Sequence, residues 1–170
     1  MKRPFVWAAI GALFLDQLTK VWVYGTVAEG ESVRLIGSVL SVSNRQNPHG
    51  VFGWVYGPAV VYLVLPIAGS LLVLWFALRA RSNWLSFVYG MILGGALGNV
   101  IDRIRLGHVI DFIDVEIRAL KFRWFTFNLA DAFLVVGVIL LVAFELFRKK
   151  PGPERPAAQV EEGEPEQKQA

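Results

Sequence analysis

Four long apolar segments, separated by polar or mixed stretches, dominate the pattern along the chain. They cover about residues 5–24, 54–78, 84–101 and 125–147. Each is close to the ~20 apolar residues that a helix needs to cross the hydrocarbon core of a bilayer. The pattern therefore predicts an all-α membrane protein with four transmembrane helices, forming one four-span domain over residues 1–150.

The loops after the first and third spans carry shorter, alternating patterns. Residues 39–43 read Val-Leu-Ser-Val-Ser, and Ile113, Val115 and Ile117 alternate with charged residues. Such alternation is typical of β-strands. Both loops lie on the same side of the membrane, so we expect them to form a small β-containing cap there.

Charge sets the expected orientation. Four spans place both termini on one side, together with three tight basic clusters, at residues 2–3, 79–81 and 148–150. By the positive-inside rule that side is the cytoplasm, which makes the cap extracytoplasmic. A raw count of Lys and Arg does not decide the orientation, because the second outer loop also carries several, mixed with acids.

Composition agrees with a membrane protein, since 55% of the residues are hydrophobic and the mean hydropathy is +0.49. The net charge is +3. A basic balance of this kind is typical of loops beside a bilayer, so nucleic acid is not implied. Residues 151–170 are acidic and rich in Pro, and they are predicted to be a disordered cytoplasmic tail. The absence of Cys excludes thiol catalysis and disulfides.

Two Asn-x-x-Asp runs are the most informative polar feature. Asn99 and Asp102 end the third apolar segment, and Asn128 and Asp131 lie near the start of the fourth. The spacing puts amide and carboxylate on one face of a helix. A carboxylate at the edge of hydrocarbon is costly, which makes it a functional-site hypothesis by default.

The predicted topology brings these polar groups to one membrane boundary. Asp16 and Lys20 lie in the outer half of the first span, the third span ends at residues 99–102, and the fourth begins near residues 128–131. We therefore expect one shared polar site near the extracytoplasmic face.

Local countercharges separate the acids into two groups. Asp16 has Lys20 four residues away and Asp102 adjoins Arg103, so both pairs can be read as purely structural. Asp111 and Asp131 have no Lys or Arg within four residues. Two unpaired carboxylates in a low-dielectric site share a proton, and together they can activate water and protonate a leaving amine. This is the logic of an aspartic protease.

Other catalytic chemistries have little support in the sequence. The two histidines, His49 and His108, fall in predicted loops and are expected to be exposed to solvent. No His-Glu-x-x-His metal motif and no Gly-x-Ser-x-Gly elbow is present.

Four motifs in order resemble those of the bacterial lipoprotein signal peptidases (signal peptidase II), a family of four-span aspartic endopeptidases. They are Asp16-Gln-Leu-Thr-Lys20, Gly94-Gly-Ala-Leu-Gly-Asn-Val-Ile-Asp-Arg103, Gly107-His-Val-Ile-Asp-Phe112 and Phe127-Asn-Leu-Ala-Asp131. The resemblance covers essentially residues 1–150. Two positions depart from the family pattern: His49 stands where Gly is usual, and Phe125 stands where Pro is common.

The resemblance implies roles for the polar residues. Asp111 and Asp131 would be the catalytic pair. Asn99, Arg103, Asn128 and Asn47 would orient the pair or bind substrate, and Asp16, Lys20 and Asp102 would support the site structurally.

The resemblance also implies a substrate, a diacylglyceryl-modified prolipoprotein in the bacterial inner membrane, cleaved just before its lipidated Cys. No metal or organic cofactor is implied, and a monomer is expected. Intramembrane acids also occur in two other kinds of protein: a small transporter, and a helix-bundle assembly protein in which the acids only pair helices.

Overall fold

The computed structural model describes residues 2–37, 39–49, 57–58, 60–117, 120 and 122–148. Its helices are α1 (Arg3–Thr26), α2 (Val61–Arg79), α3 (Asn83–Leu106) and α4 (Leu129–Phe147). All four are long and apolar enough to cross a membrane, which confirms the predicted four-helix class. The predicted disordered tail, residues 151–170, lies outside the described residues.

Helix α3 is the centre of the bundle and packs against the other three helices. Its glycines allow this close approach. A Cβ atom at Gly90 would collide with the carbonyl oxygen of Phe5, and one at Gly94 with that of Ala9. The small-residue spacing of α3 therefore serves helix packing, as in other membrane bundles.

The outward faces of the other helices are covered with exposed apolar side chains. These include Trp7, Phe14 and Trp22 on α1, Leu71 and Leu72 on α2, and Val138, Ile139 and Val142 on α4. A water-exposed surface of this kind would be unfavourable, whereas lipid accommodates it. Asp16, Lys20, Ser86, Asn99 and Asp102 are instead buried inside the bundle.

A small antiparallel sheet lies where α1 and α3 end and α2 and α4 begin; we call this the sheet end of the bundle. Strands β1 (Ser32–Ile36), β2 (Leu40–Asn47) and β3 (Val109–Ile117) are adjacent in that order, and the two-residue β4 (Phe122–Arg123) pairs with β3. The two loops predicted to contain β-structure therefore form one sheet.

Three helix boundaries differ from the sequence prediction. Helix α2 begins at Val61; of the residues assigned to its predicted start, 54–56 lie outside the described part of the chain. Helix α3 continues to Leu106, where Gly107 adopts a left-handed conformation (φ 79°) and ends it. Helix α4 begins at Leu129 and not near 125, because Asn128 caps it and Phe127 pairs with strand β3.

Candidate active site

Asp131 is fixed by the start of α4. It is the third residue of the helix, and it forms a capping box with Asn128. The backbone N–H of Asp131 donates to Asn128 Oδ1 (3.0 Å), and Asp131 Oδ2 accepts from the backbone N–H of Asn128 (3.3 Å). The carboxylate therefore lies at the positive end of the helix dipole, where negative charge is favourable.

Asp111 reaches the same place from strand β3. The turn at Gly107 sends the chain from the end of α3 back along the bundle, so that Asp111 becomes buried with only 4% of its surface exposed. Its Oδ2 accepts from Asn47 Nδ2 on the adjacent strand (2.9 Å).

A β-bulge makes the contact between Asn47 and Asp111 possible. The register of β2 against β3 shifts by one residue between Val42, which faces Ile113, and Arg45, which faces Asp111. A shift of one residue moves every following side chain to the other face of the sheet. Without the bulge, Asn47 would point away from Asp111.

Two asparagine amides join the two carboxyl groups. Asn128 Nδ2 donates to Asp111 Oδ1 (2.7 Å) and to Asn99 Oδ1 (3.1 Å). Asn99 Nδ2 in turn donates to Asp131 Oδ1 (2.8 Å). Each of the four carboxyl oxygens thus accepts an N–H, and both side chains are held in a fixed orientation.

The surroundings of Asp111 change its acidity. Burial in the protein, followed by the neighbouring Asp131 charge, raises the pKa of Asp111 to about 7; the hydrogen bonds from Asn47 and Asn128 act in the opposite direction. A carboxyl group with this pKa can hold a proton near neutral pH and can therefore act as a general acid.

A cavity of about 360 Å³ contains both carboxyl groups. Its polar lining consists of Asn47, Asn99, Arg103, Asp111, Thr126 and Asp131. The remaining wall is apolar and comes mostly from α2 and α4, through Leu65, Pro66, Leu134 and Val135. Such a cavity suits a ligand with one polar, reacting segment and a larger hydrophobic part.

Arg103 connects α3 to the loop after β2. Its Nη1 donates to the carbonyl oxygen of Asn99 (3.3 Å) and its Nη2 to that of His49 (3.0 Å). The rings of His49 and Tyr62 on α2 meet edge to face, with 6.1 Å between ring centroids.

The prediction that His49 and His108 are exposed is wrong, because both are half-buried.

Asp16, Lys20 and Asp102 form a buried ion cluster beside the candidate site. Lys20 Nζ lies 2.8 Å from Asp16 Oδ2 and 2.8 Å from Asp102 Oδ2, and all three side chains are almost completely buried. The pairing of Asp16 with Lys20 was predicted from their spacing. The partner that Lys20 supplies to Asp102 comes from another helix, which the local sequence could not reveal.

Gln17 is a contact residue that the sequence reasoning did not assign. Its amide donates to Asp102 Oδ1 (3.0 Å), to Asp16 Oδ2 (3.2 Å) and to the carbonyl oxygen of Gly98 (3.3 Å). Gln17 stands beside Asp16 in the first motif, and its polarity within a span was the signal that could have identified it. Among the residues that the structure describes, no group of three or more His, Asp or Glu side chains could hold a metal ion.

Comparison with known proteins gives one consistent family. Residues 8–147 match the family model described as signal peptidase (SPase) II. A lipoprotein signal peptidase of Nostoc sp. is 36% identical over 156 residues, which cover 91% of this chain and 96% of the relative. That of Pseudomonas aeruginosa is 31% identical and covers 90% and 93%, respectively.

Solved structures agree with this sequence likeness. One structure described as a bacterial membrane enzyme superimposes with a TM-score of 0.75 at 28% identity, covering 84% of this chain and 87% of the other. A second of the same description gives 0.74 at 27% identity. The comparisons do not favour a transporter or an assembly protein.

Proposed function

Since the chain belongs to the signal peptidase II family, we propose that it is an aspartic endopeptidase acting on diacylglyceryl-modified prolipoproteins. It is a protease and a multi-pass protein of a bacterial inner membrane, and it removes signal peptides from prolipoproteins. The proposed cleavage site is the bond just before the lipidated Cys. Asp111 and Asp131 form the proposed catalytic pair, here called the dyad.

One observation carries the proposal: the two carboxyl groups line the same cavity and are joined by the amides of Asn99 and Asn128. Their environments differ. Asp131 lies in the first turn of a helix, where the helix dipole and the hydrogen bonds from Asn99 and the Asn128 backbone counteract the cost of burying its charge, whereas burial and the neighbouring Asp131 raise the pKa of Asp111. Two carboxyl groups in different environments can divide the acid and base roles.

The proposed reaction follows from these roles. The ionised carboxylate of Asp131 takes a proton from a water molecule, whose oxygen attacks the carbonyl carbon of the scissile peptide bond. Asp111 gives its proton to the carbonyl oxygen. When the tetrahedral intermediate collapses, the C–N bond breaks, the amine leaves with the proton held by Asp131, and Asp111 regains its own. Asn47, Asn99, Asn128 and Arg103 orient the dyad and the substrate.

The cavity supports the proposed substrate class. Its polar part contains the dyad, and its apolar wall is formed by α2 and α4. Apolar walls suit the hydrocarbon portions of a lipid-modified signal sequence, while the dyad meets the peptide bond.

The same reasoning supports an orientation. We propose that both termini are cytoplasmic and that the sheet end is extracytoplasmic, because Arg79, Arg81 and Arg148 lie at the opposite end of the bundle. We further propose a monomer, since every residue of the candidate site comes from one chain.

Cleavage of a diacylglyceryl-modified prolipoprotein in nanodiscs tests the activity. Asp111→Asn and Asp131→Asn should fold and should not cleave. Asp114→Asn is the matched control, because Asp114 is a buried acid of the same strand, paired with Arg45 (3.8 Å) and outside the cavity lining. Near-normal cleavage by either dyad variant would remove that residue from the catalytic pair.

Single-cysteine labelling tests the orientation. Because the chain contains no Cys, each variant carries one thiol only. Glu29→Cys lies at the sheet end and Arg81→Cys at the other end, and both positions are exposed. A membrane-impermeant maleimide added to intact spheroplasts should label the former only. Labelling of the latter only would reverse the proposed orientation.

A further inference from the structure

Lys20 uses all of its hydrogen-bonding capacity inside the protein. The side chain is 1% exposed, and its ammonium contacts Asp16 Oδ2, Asp102 Oδ2 and Asn99 Oδ1 at 2.8, 2.8 and 3.0 Å. A lysine ammonium has three N–H groups, so this geometry provides one acceptor for each. The ammonium is therefore held from three sides.

The two carboxylates bound to Lys20 each contact the backbone next to a dyad residue. Asp16 Oδ1 accepts from the N–H of Ala130 (2.9 Å), and Asp102 Oδ2 accepts from the N–H of Ile110 (3.4 Å). Ala130 and Ile110 directly precede the two dyad residues in the chain. One ammonium thus holds the start of α4 and strand β3 at fixed positions relative to each other.

The third contact of Lys20 determines which way an amide points. Asn99 Oδ1 faces two donors, the Lys20 ammonium and Asn128 Nδ2, so Asn99 Nδ2 must face Asp131. If the Asn99 amide were rotated, its oxygen would face the Asp131 carboxylate and repel it. Asp131 would also lose an N–H donor. Lys20 and Asn128 together therefore set the direction of the hydrogen bond to Asp131.

We propose that Lys20 is a positioning residue for the reaction: it sets the separation of the dyad and, together with Asn128, the direction of the hydrogen bond that Asn99 donates to Asp131. This inference rests on the proposed function. It goes beyond structural support, because an ion pair that only holds α1 in the bundle would leave kcat unchanged in a folded variant that keeps the net charge of the cluster.

Net charge must be kept constant in a test of this role. The cluster of Asp16, Lys20 and Asp102 carries one positive and two negative charges. Lys20→Met alone would leave two buried carboxylates unpaired, and such a variant is expected to fold poorly. Two double variants keep a net charge of −1: Lys20→Met with Asp102→Asn, and Lys20→Met with Asp16→Asn. Asp102→Asn alone is the control in which Lys20 remains.

The measurements are kcat, KM and the pH dependence of kcat/KM on the lipid-modified prolipoprotein, with thermal unfolding as the folding check. In a folded double variant, kcat should fall at least about 30-fold while KM changes less than about threefold, because a displaced dyad loses transition-state stabilisation only. The acid limb of the profile should move to higher pH, since a carboxylate without its amide donor ionises less readily. The kcat of Asp102→Asn alone should fall much less.

Several outcomes would overturn the proposal. One is a folded double variant with the wild-type kcat and pH profile, which would make Lys20 a packing residue. Another is that neither double variant folds, which would show that the ammonium is needed for folding itself. Asp111→Asn is assayed alongside these variants, so that a failure of the proposed function can be recognised. Cleavage by Asp111→Asn would refute the proposed function and leave the effect of Lys20 on folding as a separate result.

Discussion

Asp16 of α1 accepts a hydrogen bond from the backbone N–H of Ala130 in the first turn of α4, at 2.9 Å. The first turn of a helix has N–H groups without partners inside the helix, and here a carboxylate from another helix supplies one. Because Asp131 follows Ala130, this contact links the first span of the chain to the dyad. Asp16 is therefore part of the support of the site as well as of the ion cluster.

Substitution of Asp16 should be costly. Asp16→Ala removes the partner of Ala130 and leaves Lys20 with one carboxylate, so we expect the free energy of unfolding to fall by about 3 kcal/mol, as for other broken buried ion pairs. Glu145→Ala is the control, because Glu145 and Arg148 form an exposed pair at 3.7 Å and should contribute less than about 1 kcal/mol. Denaturation in detergent measures both. Equal losses would mean that burial of the cluster has no energetic consequence.

Gly98 provides the space that Asp16 occupies. A Cβ atom at position 98 would collide with Asp16 Oδ2, whereas one at Gly11, also within a helix, would have no neighbour within 4 Å. Gly98→Ala must displace the Asp16 carboxylate, and we expect activity to fall by about 100-fold, as for other displacements of about 1 Å in an active site. Gly11→Ala should leave activity unchanged. Equal cleavage of prolipoprotein by the two variants would contradict the prediction that Gly98 makes room for Asp16.

Much of the fold follows from patterns within single segments. The four apolar segments predicted the four helices, and alternation at residues 39–43 and 113–117 predicted β2 and β3. Helix starts were less accurate. Residues 125–127 read Phe-Thr-Phe and adjoin a long apolar run, so composition could not show that Phe127 pairs with Ile113. That pairing competes with helix formation, and the capping box of Asn128 decides where the helix begins.

The candidate site could be predicted as a set of residues but not as a geometry. Countercharge spacing selected Asp111 and Asp131, since a missing local partner is visible in sequence. The partners that the structure supplies come from other elements, such as Asn47 beside Asp111 and Lys20 beside Asp102. The contact of Asn47 depends on a one-residue bulge in β2. A shift in strand register leaves no local signal in the residues that it repositions.

The pKa of Asp111 predicts the alkaline side of the activity profile. Burial raises this pKa to about 7, so the carboxyl group loses its proton as the pH rises through 7. As the proposed general acid must be protonated, kcat/KM should decline above an apparent pKa near 7. Rates of cleavage from pH 5 to 9 in nanodiscs measure this. A profile that stays flat to pH 9 would contradict the role of Asp111 as the acid.

The same shift predicts a dependence of stability on pH. The folded-state pKa of about 7 lies above the ordinary value of 3.8, so the folded protein retains a proton that the unfolded chain has lost between these values. The free energy of unfolding must therefore fall as the pH rises through this window. Asp111→Asn cannot titrate, so relative to wild type it should become more stable between pH 5 and pH 8. Denaturant titrations at the two pH values test this, with Asp114→Asn as the control.

His49 stands where the family usually has Gly, and the structure indicates what that exchange affects. Both polar contacts of His49 are made by its main chain: the carbonyl oxygen accepts from Arg103 (3.0 Å), and the N–H donates to Asn47 Oδ1 (3.0 Å). These contacts survive in His49→Gly, so kcat should stay within about threefold of wild type. The lost ring contact with Tyr62 should lower the free energy of unfolding by about 1 kcal/mol, and His49→Phe should restore it. Loss of cleavage in both variants would instead assign the imidazole a direct part in the reaction.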